Sequence, residues 1–357
     1  MLRNTFIAGL LAAGSAVHAQ GVTIYGIVDT GVEHLTNVTA QGGSLTRMPN
    51  LTGLVPSRLG FRGTEDLGGG LNAFFNLEMG VALDSGSLNN GGRAFGRAAN
   101  VGIAGPFGRV TVGRQVNMTI LAMSSHVMGP ALYSVASHDP YIPNAIDDNA
   151  IGYTGNFGGL TVGATYSLGR DVATVGGPAG TNCPGESATD SKACRHWTAL
   201  LKYDTANYGA ALSHDVMRGG PGAAFGMTSS AFTDERTVFN GWGKLGAVKV
   251  SGGILRRERE TGALLKSNLY YLGASYPLTS ALSLDAELSR LDVKNSPNDS
   301  TMAVVRGVYS FSKRTAAYAM LARMRNKGTA ATSVSAGGAA GPGMGQTGVM
   351  FGIRHTF

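Results

Sequence analysis

Charged residues are scarce in this chain: Asp, Glu, Lys and Arg make up only 14% of its 357 residues, against about 25% in an average soluble domain. The chain is 43% hydrophobic, whereas a disordered chain would combine low hydropathy with high charge. The formal net charge of +7 is spread along the chain rather than gathered in runs, so nucleic acid is not an expected partner.

Long hydrophobic runs are also absent. The longest apolar run near the start, Phe6 to Ala13, follows the basic Arg3 and precedes Val17-His18-Ala19. This order is typical of a signal peptide cleaved after a small residue, and it predicts a signal peptide at 1–19 and a mature domain at 20–357. No later stretch reaches the 18 or so apolar residues of a membrane helix.

What recurs instead is strict alternation of apolar and polar residues, the pattern of a strand with one apolar face. In four such segments the apolar face consists of Leu71, Ala73, Phe75, Leu77 and Met79; Leu160, Val162, Ala164, Tyr166 and Leu168; Leu282, Leu284, Ala286 and Leu288; and Phe351, Ile353 and Phe357, with His355 at the remaining position of that face.

The connections between these segments fall into two length classes. Short turns contain sequences such as Gly68-Gly69-Gly70 and Gly105-Pro106-Phe107-Gly108, and they alternate with long polar segments at roughly 34–57, 80–94, 115–149, 170–196, 218–234, 257–266, 292–300 and 325–347. Seven turns and eight loops connect 16 strands. An even number of antiparallel strands with turns at one rim and loops at the other predicts an all-β, 16-stranded transmembrane barrel. A secreted sandwich or propeller is the alternative, but no repeat of roughly 40–50 residues is present.

We do not expect an enzyme. Ser213-His214-Asp215 reads like a catalytic triad, but adjacent strand residues point to opposite faces. No cofactor is expected, although Asp147 and Asp148 could hold a loosely bound Ca²⁺.

Cys183 and Cys194 are the only cysteines. In an exported protein they favour a disulfide that fixes the fourth long loop, with two free thiols as the alternative.

Four segments give the chain a family resemblance: Val22 to Asp29, Ser57 to Gly68, Phe107 to Gln115 and Gly352 to Phe357. Together they resemble the general (diffusion) porins of β-proteobacteria. The resemblance implies a homotrimer in the outer membrane, a third long loop (115–149) that folds into the pore, and a terminal Phe357 that the barrel-assembly machinery reads. At position 152, where the family often has a basic residue near the constriction, this chain has glycine.

Strand alternation and the resemblance together predict the charges of the pore. We expect a basic constriction wall of Arg58, Arg62, Arg97 and Arg114, where Arg114 is assigned from the resemblance and the side of Arg97 is left open. The third loop offers Asp139, Asp147 and Asp148 opposite this wall. Because arginine facing lipid is costly, we also place Lys202, Arg306, Arg323 and Arg354 in the lumen.

The predicted function is a water-filled channel for passive diffusion of small hydrophilic solutes and ions, with a modest anion preference. Lipopolysaccharide and other outer-membrane lipids are the expected surroundings. The alternatives are a substrate-specific channel whose third loop carries a binding ladder, and a structural or adhesive barrel that uses the last loop, Gly328 to Gly348, as its interaction segment. Tyr133, Tyr141 and Phe157 are the aromatic candidates for such a ladder, but they are too few and too irregularly spaced to define one.

Overall fold

The computed structural model describes residues 21–51, 53–171 and 180–357. The predicted signal peptide lies outside the described residues. Within these ranges the chain forms 18 β-strands. They are β1 (Thr23–Thr39), β2 (Gly42–Arg47), β3 (Arg58–Gly68), β4 (Leu71–Gly80), β5 (Ala98–Gly105), β6 (Gly108–Val116), β7 (Ile146–Asp147), β8 (Ala150–Phe157), β9 (Leu160–Ser167), β10 (His196–Asp204), β11 (Tyr208–Arg218), β12 (Thr233–Leu245), β13 (Val248–Glu260), β14 (Leu264–Pro277), β15 (Leu282–Val293), β16 (Ser300–Ser310), β17 (Thr315–Asn326) and β18 (Gln346–Thr356).

Sixteen of these strands form one closed antiparallel barrel, as the sequence predicts. The barrel closes where β1 pairs with both β18 and β3. At the seam, the backbones of Gly26 and Phe357 exchange two hydrogen bonds of 3.1 Å. The other two strands are additions: β2 folds back on β1, and β7 pairs with the end of β6. Closure gives each of the 16 barrel strands two neighbours, which is the requirement for a sheet in lipid.

The short turns lie where the sequence predicts them. Gly68, Gly69 and Gly70 join β3 to β4 with φ of 81°, 61° and 80°, a left-handed conformation that favours glycine. The opposite rim carries the long loops, which in such barrels face the cell exterior.

Alternation along each strand separates an outward apolar face from an inward face. On β4, Phe74 and Glu78 are buried inside the barrel, whereas Leu71 and its alternating neighbours face outward. The described residues contain no helix long and apolar enough to cross a membrane.

The third long loop, residues 115–149, folds into the barrel; we call it loop 3. It contains a short helix, Met118–Ala122, and two 3₁₀ turns, Val135–Ser137 and Ile142–Asn144, and a further helical turn lies at Asn89–Gly92. The side chain of Asn117 caps the helix by accepting a hydrogen bond from the Thr119 N–H at 3.1 Å. The helix packs against inward residues of β10 to β14, including Leu200, Val238, Leu255 and Leu269.

Further along, loop 3 packs against the other side of the barrel interior. Leu132 and Tyr133 contact inward methionines of β16, β17 and β18: Met302, Met320, Met324 and Met350. Burying each large apolar side chain contributes about 1.5–3 kcal/mol, so this packing holds loop 3 firmly against the wall from β10 round to β18.

Candidate functional site

The open part of the lumen lies between loop 3 and the strands β3 to β6. A cavity of about 400 Å³ separates them, with Arg97 and Arg114 on one side and Leu132, Asn144 and Ile146 of loop 3 on the other. Six arginines from these strands and the adjoining loop point into the barrel, and Arg97 and Arg114 among them line the cavity itself. We call the six the arginine wall: Arg58, Arg62, Arg93, Arg97, Arg109 and Arg114.

Three carboxylates contact this wall. Glu78 accepts a hydrogen bond from Nε of Arg97 at 2.6 Å and lies 3.7 Å from Arg58. Asp171 lies 2.6 Å from Arg93, and Asp148 contacts both Arg93 and Arg114. Because four of the six guanidinium groups share these three carboxylates and the other two have none, the wall keeps a surplus of positive charge.

Two members of the wall are exposed to the lumen and form no ion pair within the described ranges. Arg62 lies over the ring of Tyr25, 5.0 Å from its centroid. Arg109 lies over Phe74 at 3.4 Å. Such stacking on an aromatic face orients a guanidinium group without neutralising it. The sequence prediction missed Arg109, although its alternation with Val110 identifies it as inward-facing.

Arg114 faces inward because the sheet is irregular beside it. Val112 pairs with Ile151, whereas Gln115 pairs with Asp147, so the register slips by one residue between the two pairs. Gly113 has a φ of +111° at this point. This bulge turns Arg114 toward Asp148, against the outward direction that simple alternation would give.

The side of Arg97, which the sequence left open, is also inward. Its side chain is mostly buried against Glu78.

Glycine at position 152 leaves space that another residue fills. A Cβ atom placed there would collide with Oε1 of Gln115. The Gln115 amide in turn donates to the carbonyls of Thr111 and Ala150. The uncharged, buried amide of Gln115 therefore occupies the space that a basic side chain at position 152 would fill.

The acidic residues of loop 3 do not face the arginine wall across open water, and this corrects the sequence prediction. Asp139 is buried and accepts a hydrogen bond from Nε of Arg236 on β12 at 2.8 Å. Asp147 is completely buried against His196. Asp148 lies on the same side as the arginines, bound to Arg114 and Arg93. The three carboxylates anchor loop 3, and the parts of the loop that are exposed, such as Ser124 and Pro130, are uncharged.

A buried polar cluster forms the centre of this anchor. Nδ1 and Nε2 of His196 each lie 2.8 Å from a carboxylate oxygen, of Asp147 and Asp215 respectively. Asp215 also accepts hydrogen bonds from the hydroxyls of Thr119 and Tyr141. Burial, together with the neighbouring Asp215 carboxylate, raises the pKa of Tyr141 well above its usual range, so its hydroxyl remains a donor.

The pKa of Asp139 moves in the opposite direction. Burial alone would raise it, but Arg236 and Arg257 lie close enough to hold it below its ordinary value. Asp139 is therefore ionised in the folded protein at neutral pH.

Three of the other predicted lumen charges face inward, and each has an acidic neighbour. Lys202 lies 2.9 Å from Asp204 and donates to Ser124 of loop 3. Arg306 bonds to Asp285 at 2.8 Å and to two carbonyls of loop 3. Arg354 lies directly opposite Asp29 in the register of β18 and β1.

Arg323 does not face the lumen, which corrects its assignment. On β17 the inward residues are Tyr318, Met320, Ala322 and Met324, which are buried under loop 3, whereas Arg323 is exposed on the outer face. Its guanidinium donates to the outward hydroxyl of Thr347 at 2.6 Å. The prediction assumed that the polar face is the inner one, but here loop 3 makes the inner face apolar.

The remaining candidates have clear positions. Cys183 and Cys194 form the predicted disulfide. Tyr133 and Tyr141 are buried, and Phe157 lies half exposed at a short turn, so the three do not form a ladder along the passage.

Part of the last loop folds inward: Val334 is buried and Ser335 contacts Glu33. Ser213 and Asp215 face inward while His214 contacts outward Trp197. Among the described residues, no three His, Cys, Asp or Glu side chains are grouped to hold a metal ion, and Asp147 and Asp148 bind different cationic partners.

A closed barrel of this size, with an inward loop and a charged passage, defines a transmembrane channel. The sequence profile of the Gram-negative porins matches residues 5–329. Outer membrane porin protein 32 of Delftia acidovorans is 33% identical over 372 residues, which cover 98% of each chain. An outer membrane porin protein of Bordetella pertussis is 28% identical over the whole of both chains.

Solved structures agree with these sequence matches. An anion-selective porin from Comamonas acidovorans superposes with a TM-score of 0.74 at 29% identity, over 95% of this chain and 100% of that one. A loop L8 deletion mutant of OmpT, an outer membrane protein of Vibrio cholerae, shares the fold at 14% identity and a TM-score of 0.67, over 95% of this chain and 100% of that one. The chain belongs to the Gram-negative porin family. It is a porin of the outer membrane.

Proposed function

We propose that this porin favours anions as small hydrophilic solutes and ions diffuse passively through it. The observation that carries the proposal is the arginine wall, in which four guanidinium groups share Glu78, Asp148 and Asp171 and two more, of Arg62 and Arg109, form no ion pair within the described ranges. One pair of unit charges about 4 Å apart is worth about 1 kcal/mol in water and about 4 kcal/mol at an effective dielectric near 20. A narrow lumen lies between these limits, so a few unneutralised arginines bias ion choice several-fold.

The opposite side of the passage strengthens this proposal. Because Asp139 and Asp147 are buried in ion pairs with Arg236 and His196, they contribute little field to the open lumen. The anion preference is therefore set by the arginine wall, with Asp148 as the loop 3 acid that moderates it.

Single-channel recording in planar bilayers tests this function. We expect stepwise insertions whose conductance rises with KCl concentration without saturating. We expect Arg62→Gln and Arg109→Gln to lower chloride permeability relative to potassium, since both side chains are exposed and unpaired in the described structure. Conductance that saturates with one solute would favour the substrate-specific channel instead. Absence of conductance from a folded barrel would favour the structural role.

We also propose that the porin assembles as a homotrimer through the shortest strands of the barrel wall. β5, β8 and β9 have eight residues each, which at ~3.4 Å per residue and a tilt of ~40° rise only about 21 Å. The 14 residues of β14 rise about 36 Å by the same estimate. A wall lower than the ~25 Å apolar band suits contact with another subunit better than contact with lipid. Crosslinking between cysteines introduced on the outward face of β5 would test this arrangement.

Phe357 has a second proposed role, as the residue that the barrel-assembly machinery reads. Its ring lies outward against Gly26, and its backbone completes the seam between β1 and β18. An aromatic residue that is exposed and also closes the barrel seam suits recognition during the final step of assembly.

A further inference from the structure

Three lysines and a tryptophan line the lumen near the rim of the short turns, which is the periplasmic rim. The group consists of Lys202 and Asp204 on β10, Trp242 and Lys244 on β12, and Lys249 on β13. We call it the lysine site. Lys244 and Lys249 stand on either side of the short turn that joins β12 to β13. The site is therefore separate from the arginine wall, which lies on the β3 to β6 side of the barrel.

Contacts with loop 3 show that the side chains of the lysine site point into the barrel. The ammonium group of Lys202 donates to the hydroxyl of Ser124 at 2.7 Å. The residues two positions from Trp242 and from Lys249, on the same strand faces, also form hydrogen bonds with loop 3. They are Asn240 and Ser251. The lysine site thus lies on the periplasmic side of loop 3, where a solute leaves the passage.

The lysine site carries more positive charge than its carboxylate neutralises. Lys202 lies 2.9 Å from Asp204. Lys244 and Lys249 are directly opposite each other in the register of β12 and β13, an arrangement of like charges that destabilises a sheet. Among the residues that the structure describes, neither of these two lysines forms an ion pair. An anion that binds between the two ammonium groups relieves their repulsion.

Trp242 adds an aromatic surface that is held in one orientation. Its Nε1–H donates to Oδ1 of Asp204 at 2.7 Å, and Nζ of Lys249 lies 5.4 Å from the ring centroid. Gly209 on β11 leaves room for this contact, because a Cβ atom there would collide with both Asp204 and Trp242. The indole ring is partly exposed to the lumen, so a planar solute can reach it.

We propose that the lysine site binds aromatic carboxylates as they leave the passage for the periplasm. The carboxylate accepts charge-assisted hydrogen bonds from Lys244 and Lys249, and the ring packs against Trp242. A carboxylate without a ring uses only the lysines, and a neutral aromatic molecule uses only the indole. The inference rests on the proposed diffusion of solutes through the lumen, but it does not depend on the charge of the arginine wall.

Tryptophan fluorescence gives a direct test, because the chain has only two tryptophans. Trp197 lies on the outer face, so in purified Trp197→Phe porin Trp242 is the sole reporter. The probes are para-nitrobenzoate, which quenches indole fluorescence, and the uncharged para-nitrobenzamide. We expect saturable quenching by para-nitrobenzoate and about tenfold weaker binding of the amide, since its contacts with the lysines lack the opposite charge.

Variants and competitors separate the two contributions. In the same background, Lys244→Gln/Lys249→Gln should bind para-nitrobenzoate about tenfold more weakly and should no longer distinguish it from the amide. Benzoate should displace the probe at an about fivefold lower concentration than acetate, because only benzoate packs against the indole ring. Heat-modifiable mobility shows whether each variant is folded.

The matched control is Lys313→Gln/Arg314→Gln, which removes the same charge from another exposed short turn of this rim. It should bind like its parent. Trp242→Phe, in which Trp197 is the only reporter, should show quenching that does not saturate. Equal affinity for the two probes, undiminished binding in the Lys244/Lys249 variant, an equal loss in the control, or equal displacement by benzoate and acetate would overturn the proposal.

Reversal potentials of the same proteins keep this inference apart from the proposed function. An anion-selective channel without saturable quenching would overturn the lysine site and leave the anion preference in place. Saturable quenching that requires Lys244 and Lys249 in a cation-selective channel would support the lysine site and contradict the anion preference.

Discussion

Nδ1 of His196, at the start of β10, lies 2.8 Å from Oδ1 of Asp147 in β7, and both side chains are completely buried. On its other side, His196 meets Asp215 of β11 at the same distance. This pair joins the end of loop 3 to the barrel wall, so the width of the passage depends on a buried charge cluster and not only on apolar packing.

Replacing His196 should therefore loosen loop 3. In His196→Ala, two buried carboxylates face each other without the group between them, and breaking such a buried pair typically costs about 3–5 kcal/mol. We expect a lower unfolding temperature and greater open-channel current noise, measured by heat-modifiable mobility and by single-channel recording. His214→Ala is the control, because that histidine lies on the outer face against Trp197. A quiet channel of normal stability in His196→Ala would contradict the anchoring role.

His138 gives the fold a pH dependence. Its ring lies between the hydroxyls of Ser300 and Ser289, and burial lowers its pKa to about 4. The folded protein holds the neutral form, whereas the unfolded chain takes up a proton near pH 6.5. This contribution to stability is complete above pH 6.5 and is lost as the pH falls toward 4, by up to about 1.4 kcal/mol per pH unit. Unfolding in urea at pH 7 and pH 5 should show a larger drop for the wild type than for His138→Gln. Equal drops would show that His138 does not titrate in this way.

The disulfide should stabilise one exterior loop and leave the barrel unaffected. It closes a separation of 11 residues, which by loop entropy is worth about 3 kcal/mol. Cys194 lies in a small cluster with Ala223 and Met227 of the following loop, apart from the barrel interior. In Cys183→Ser/Cys194→Ser we expect faster protease cleavage near residues 180–194, with unchanged conductance and barrel melting. A large drop in the melting temperature of the barrel would contradict this separation.

Arg62 and Arg323 provide a matched test of which arginines face the pore. Each can be changed to Glu with the same change in charge, but Arg62 is exposed to the lumen and Arg323 lies on the outer face. We expect Arg62→Glu to shift the permeability ratio several-fold toward cations, whereas Arg323→Glu leaves it unchanged. The measurement is reversal potential across a KCl gradient in bilayers free of lipopolysaccharide. A larger shift from Arg323→Glu would show that the two faces of β17 have been exchanged.

Sequence patterns predicted the barrel well because lipid imposes one rule on every strand. Alternation correctly placed Arg58, Arg62 and Arg306 inward, since their neighbours on the other face are apolar. The same rule was wrong for Arg323, because β17 has apolar residues on both faces where loop 3 covers the lumen side.

The pairing of charges could not be predicted in this way. Asp139 and Arg236 are 97 residues apart and His196 lies 49 residues from Asp147, so no local spacing links them. Arg114 faces inward only because of the bulge beside Gly113, which the sequence pattern does not reveal. Such contacts depend on how loop 3 folds back through the closed barrel, which is a property of the tertiary structure.

The reversal potential of the wild-type channel in a KCl gradient tests the central claim most directly. The arginine wall carries six guanidinium groups against three carboxylates, and Asp139 and Asp147 of loop 3 are buried in ion pairs. The predicted result is a reversal potential whose sign shows that chloride is more permeant than potassium. This potential should become smaller when the salt concentration is high enough to screen the charges of the arginine wall. A potential of zero at low salt, or one with the sign of a cation-selective pore, would contradict it.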